Sequence, residues 1–114
     1  MKMWKKLKID GVNEITKLVA EFEVWIHALL PYGKMKIKIY ENTNGTFAGR
    51  TDVRLKRKFD GTPESAVGYG HTMEEALSET IRWFKEMVAE DYPKDQYPDG
   101  LTGEEIEYSD FSDF

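Results

Sequence analysis

Cations and carboxylates at regular spacing are the residues of this chain that could do chemistry. Lys34, Lys36 and Lys38 alternate with Met35, Ile37 and Ile39, and Arg54, Lys56 and Lys58 follow at the same two-residue spacing, with Arg50 nearby. In a strand that period puts all of them on one face. Six like charges on one small face could grip a phosphate backbone or an acidic protein surface. The structural alternative is a solvated face whose lysines guard against edge pairing. Further on, residues 89–114 hold nine acids (Glu90, Asp91, Asp95, Asp99, Glu104, Glu105, Glu107, Asp110 and Asp113) and one lysine, whereas residues 1–88 hold fifteen Lys/Arg and twelve Asp/Glu. Tyr92, Tyr97, Tyr108, Phe111 and Phe114 are interleaved with those acids. Aromatic side chains anchor interfaces, and carboxylates between them can imitate a row of phosphates. The candidate partner-binding residues are therefore Glu104, Glu105, Glu107, Tyr108, Asp110, Phe111, Asp113 and Phe114. Two other readings stay open: the tail folds back across the chain's own basic face, or it is an inert end.

Catalysis has no comparable pattern. His27 and His71 fall in different elements, and no acid or cysteine spacing completes a metal set around either. His27 is expected on a helix face and His71 in a loop. There is no Gly-x-Ser-x-Gly elbow. Gly68-Tyr69-Gly70 before a helix looks like a phosphate loop, but Glu74 and Glu75 in the first turn would repel phosphate. The third glycine of a dinucleotide fingerprint is missing. With no cysteine in 114 residues, disulfides and thiolate-bound metals are excluded. The expectation is a non-enzyme with no catalytic residue, no metal and no cofactor.

The elements that position these groups follow from period. Residues 3–9 are ambiguous; Leu7 and Ile9 alternate with Lys6 and Lys8 as in an edge strand. Ile15, Leu18, Val19, Phe22, Ile26, Leu29 and Leu30 predict an amphipathic helix of about four turns, ended by Pro31 and Gly33. From Lys34 the period becomes two, a half-buried strand. Asn42-Thr43-Asn44-Gly45 marks a hairpin. Residues 46–59 form the return strand, with Val53, Leu55 and Phe59 inward and Arg57 beyond the core edge. After the turn at Asp60–Pro63, residues 64–70 make a weaker strand with Val67 and Tyr69 on one face. Gly68 and Gly70 weaken that strand or let the next helix come close. Thr72-Met73-Glu74-Glu75 is a capping box, and Met73, Leu77, Ile81, Phe84 and Val88 form the stripe of the helix it opens.

The fold expected is α+β: a two-layer sandwich in α-β-β-β-α order, with a three-stranded antiparallel sheet and two helices on one face. Residues 1–90 form one domain, and 91–114 an acidic aromatic tail. No apolar run is long enough for a membrane helix, and no secretory signal is recognised, so the cytoplasm is the expected location.

Three meander strands followed by Gly68-Tyr69-Gly70-His71-Thr72-Met73-Glu74-Glu75-Ala76-Leu77 resemble the HicB-like antitoxin domain over about residues 34–90. The resemblance implies an inhibitor that occupies an RNA- or DNA-handling partner. The element order is also similar to that of the double-stranded RNA-binding domain. That family grips phosphate with a basic N-terminus on its last helix, where this chain has Glu74, Glu75 and Glu79. The expected function is a small inhibitor or adaptor, antitoxin-like or of the phage anti-defence type, whose partner is a protein with a basic nucleic-acid-binding surface. The alternatives are a nucleic-acid-binding module using the basic face, and a structural subunit or homodimer through an exposed strand.

Overall fold

Ala20, Phe22 and Val24 alternate with Glu21, Glu23 and Trp25, and this short period decides the first element. In the computed structural model, which describes residues 3–110 and residue 114, Lys17–Trp25 is strand β1 and not a helix. The helical expectation passed over Val24, which would stand about 200° around a helix from Phe22. Aromatic and β-branched residues fit a pleated, half-buried surface well. Opposite charges settle the register, since Glu21 and Glu23 stand across from Lys38 and Lys36.

Four further strands and one helix follow: β2 (Lys34–Glu41), β3 (Phe47–Lys56), β4 (Pro63–Gly70), α1 (Met73–Asp91) and β5 (Ile106–Tyr108). Met3–Lys6 is a single 3-10 turn. β1 to β4 form an antiparallel meander, and β5 pairs antiparallel with β3. The expected three-stranded sheet under two helices is thereby corrected to five strands under one helix.

β3 has two neighbours along one edge. β2 pairs with it from Phe47 to Thr51, then departs where the Asp52 carboxylate accepts the Lys36 N–H at 2.8 Å. β5 takes over from Val53 to Leu55. Against β4 the register breaks between Arg50 and Arg54. There the Thr51 hydroxyl donates to the Val53 carbonyl and accepts the Ala66 N–H, so the irregularity leaves these buried groups paired.

Met35, Ile37, Ile39, Val53 and Leu55 point to the inner face and are fully buried beneath α1. The deepest line of the helix is Ala76, Thr80, Phe84, Met87 and Val88, while Met73, Leu77 and Ile81 are half-buried beside it. Gly68 and Gly70 let the helix come this close. A Cβ on Gly68 would collide with the Thr80 backbone, and one on Gly70 with Glu75. Thr72 caps the helix by accepting the Glu75 N–H at 3.0 Å, and Glu75 in turn accepts the N–H of His71. Because α1 lies over β3 and β4, the inner side of β1 (Ala20, Phe22, Val24) is covered only in part.

The segment after α1 joins the same core. Tyr92, Leu101 and Ile106 are buried, the Tyr92 hydroxyl donates to the Lys56 carbonyl at 2.5 Å, and the Leu101 N–H donates to the Leu29 carbonyl at 2.9 Å.

Candidate interaction surface

The outer face is built by side chains that alternate with the core. β2 contributes Lys34, Lys36, Lys38 and Tyr40; β3 contributes Ala48, Arg50, Asp52, Arg54 and Lys56; β4 contributes Val67 and Tyr69. The cations are not left alone there. β1 lays Glu21 and Glu23 beside them, with Lys34–Glu23 at 3.3 Å and Lys36–Glu21 at 4.0 Å. From β5, Glu107 pairs with Arg54 at 2.6 Å. Lys38 lies 4.4 Å from the ring centroid of Phe114, whose carbonyl accepts the Tyr40 hydroxyl at 3.2 Å. The face is a lattice of alternating charge, with Arg50 exposed toward the β2–β3 turn.

Lys58, expected on this face, leaves it. Its ammonium donates to the Tyr97 hydroxyl at 2.7 Å and lies 5.0 Å from the Tyr92 ring centroid. Its pKa is raised, first by that hydrogen bond. Phe59, expected inward, is 78% exposed.

Arg57 lies inside rather than beyond the core edge. Its guanidinium donates to Asp91 at 2.6 Å, Glu64 at 2.5 Å and Glu90 at 3.4 Å, joining β4 and the end of α1 to the chain leaving β3. The hydrogen bond from Arg57 holds the Asp91 carboxyl below its ordinary value. Asp52 moves the other way, raised chiefly by burial although the Lys36 and Val53 amides oppose the shift.

The tail residues are divided among roles. Glu107 and Tyr108 belong to β5, and the Tyr108 hydroxyl donates to the Lys34 carbonyl at 3.0 Å. Burial raises the Tyr108 pKa. Glu105 turns back to accept the N–H and hydroxyl of Thr102 at 2.8 and 2.6 Å. Glu104 and Asp110 are exposed, as are Asp95 and Asp99. Phe111 and Asp113 lie outside the described residues. From Tyr92 through Tyr108 the tail turns back onto the protein, but into the core and along the β3 edge rather than across the basic face, with Glu107 pairing to Arg54 of that face.

His27 is exposed in the β1–β2 turn, stacked on Trp25 at 5.5 Å, rather than on a helix face. His71 is exposed just before α1. Gly68 and Gly70 lie under the helix and form no phosphate cradle. Among the described residues no group of three or more His, Cys, Asp or Glu is placed to hold a metal ion, and no helix is long and apolar enough to cross a membrane.

Period-based reading missed two features. One is the Arg57 cluster, whose partners are distant in sequence. The other is a cross-strand row on the outer face, Tyr40, Ala48 and Tyr69, with Arg50 beside it. The two tyrosines flank a concavity over the small Ala48 side chain, also lined by Asn42 and Val67. Tyr40, as an outward aromatic beside the basic face, and Tyr69 were each legible as face residues; their pairing across Ala48 needs the register. Compared with protein-family models, curated proteins and solved structures, the chain matches none.

Proposed function

We propose that the protein is a small non-enzymatic inhibitor or adaptor in the cytoplasm, which offers a nucleic-acid-handling partner a fixed array of carboxylates in place of phosphates. The observation that carries this reading is how residues 92–110 are held. Tyr92, Leu101, Ile106 and Tyr108 are turned into the protein as anchors, so the acids between them stand on a firm base. Asp95, Asp99, Glu104 and Asp110 remain in water, with Glu90 nearby in sequence. A charge array ordered in advance loses less entropy on binding than a loose peptide does. It also steers a basic partner toward it. Glu107 is committed to Arg54 and is left out of the array. The resemblance of residues 34–90 to the HicB-like antitoxin domain agrees with this style of action.

The test is retention of proteins from a bacterial extract by the immobilised chain, with and without competing duplex DNA or RNA. The expected result is retention of nucleic-acid-handling proteins, competed by nucleic acid and lost in a chain carrying D95N, D99N, E104Q and D110N. Retention of such proteins that ignores both the competitor and the substitutions rejects the phosphate-imitation mechanism.

A second reading draws on the Tyr40–Ala48–Tyr69 row. Aromatic rings flanking a small residue beside Arg50 resemble a platform on which single-stranded bases stack. Tyr69 is 67% exposed and available for it. Binding of a single-stranded oligonucleotide that weakens with salt and disappears in Y69A would favour this reading over the first.

A further inference from the structure

β1 and β4 are the two outer strands of the meander, and they are guarded differently. β4 begins at Pro63 and is pressed against α1 at Gly68 and Gly70. β1 has a bulge between Leu18 and Ala20, but from Glu21 to Trp25 it has neither proline nor an inward charge. Such an edge is a ready template for another strand. Its two sides are unlike: Phe22 and Val24 are half-buried on the inner side, and Glu21 and Glu23 are exposed on the outer.

The segment Lys6-Leu7-Lys8-Ile9 has the complementary pattern. Leu7 and Ile9 are 55% and 54% exposed, so their apolar surface is largely unused within the chain. Gly11, at φ +84°, turns the chain, with the Val12 N–H donating to the Ile9 carbonyl. Lys5 is tied to Glu41 at 2.5 Å, toward the β2–β3 turn and away from the Glu21–Trp25 edge.

We infer that a second copy of this chain docks on the free edge of β1 through its residues Lys6–Ile9, and that the exchange is reciprocal. In that pairing Leu7 and Ile9 extend the inner face beside Phe22 and Val24, and Lys6 and Lys8 reach Glu21 and Glu23 on the outer face. A slip of one residue would turn the lysines onto the apolar side and leave the acids facing leucine and isoleucine, so the match sets its own register. Direct pairing of two β1 edges would instead bring Glu21 and Glu23 near their own copies, which like charge disfavours. Reciprocal exchange makes both contacts equivalent under a two-fold axis. The pairing is independent of the function proposed above.

The test is sedimentation equilibrium of the full chain over a dilution series, together with two charge reversals. One variant carries K6E and K8E; the other carries E21K and E23K. The wild-type mass should rise with concentration toward two chains. Each variant alone should dimerise at least about tenfold more weakly, as cross-strand attraction turns to repulsion. Mixed together they should form heterodimers, because each arm then meets an edge of opposite charge. The arm reversal is decisive if the edge reversal disturbs the Lys34 and Lys36 pairs, since no residue from Met3 to Asp10 is buried. A wild-type mass of one chain throughout, including the case of an arm closing on its own β1, overturns the inference. So does a K6E/K8E chain that dimerises as well as wild type.

Discussion

Residues 101–108 and residues 5–12 both mix apolar side chains with charges, yet Leu101 and Ile106 are buried while Leu7, Ile9 and Val12 stand about half exposed. Local composition does not separate them. The later segment meets groups that are waiting for it: the stretch of β3 that β2 has left, the Leu29 carbonyl and the Arg54 guanidinium. Among the described residues the earlier one meets the Lys5–Glu41 pair, the Trp4 ring under Lys5 and its own turns. Whether a mixed segment is ordered in place depends on an unpaired neighbour being available, and here one edge of β3 supplies it.

The sharpest way to probe this difference starts at Arg57, which ties the end of α1, upstream of the later segment, to the sheet through Asp91. Arg57→Ala leaves that mostly buried carboxylate without its main partner and should cost about 3–5 kcal/mol in urea denaturation. Lys8→Ala in the arm should leave the midpoint unchanged at concentrations low enough to keep the chain monomeric. Next comes one chemical change made in both places. In the monomer, at high dilution, Ile106→Ala should cost about 2–5 kcal/mol, and Ile9→Ala less than about 0.5 kcal/mol. Equal losses would break the contrast, because they would mean that the arm packs as the later segment does.

The pH response sharpens it further. Asp91 lies below its ordinary value of 3.8, so its contribution is present above that value and is lost as the pH falls through the lowered one. Asp52 is raised above 3.8, so its ionisation opposes folding, and acidification through the interval above 3.8 favours the fold. Melting temperatures followed from about pH 7 to pH 2 should show a weaker acid-side loss in D91N. In D52N, whose side-chain oxygen can still accept the Lys36 N–H, stability at neutral pH should be equal or higher. A small effect belongs to the half-buried Arg54–Glu107 pair, where Glu107→Gln should cost at most about 1 kcal/mol and less in high salt.

Single elements of the fold were legible, although the two-helix, three-stranded architecture was not what the chain adopts. The two-residue period of β2, the Asn-Gly hairpin and the cap of α1 stand where local rules place them, while the buried line of α1 runs through Ala76, Thr80 and Met87 rather than Met73, Leu77 and Ile81. β1 was misread because Leu18, Phe22 and Ile26 satisfy a helical spacing, and only Val24 speaks against it. β5 was hidden for a different reason. Three residues inside an acidic stretch carry almost no period, and their place exists only because β2 departs at Asp52, an event of tertiary structure. Arg57 occupies an inward position of β3's continuation, where a charge reads as an interruption until carboxylates from β4 and α1 arrive around it. For the candidate surface, the alternation of β2 and β3 located the cations, but the acids beside them come from the two strands that were not foreseen.

The brevity of β5 bears on how the native state fluctuates. A strand of three residues joins partners some fifty positions apart in sequence, with Ile106 as its buried anchor. Such a clasp should open by itself, well short of complete unfolding, in the manner of a cooperative unit of low local stability. The Lys56 and Ser109 amides, bonded to Glu105 and Asp52 respectively, would then exchange their hydrogens sooner than those of Ile37 and Ile39. Each opening bares one edge of β3 from Val53 to Leu55, a brief invitation to aggregation that closes when Ile106 returns.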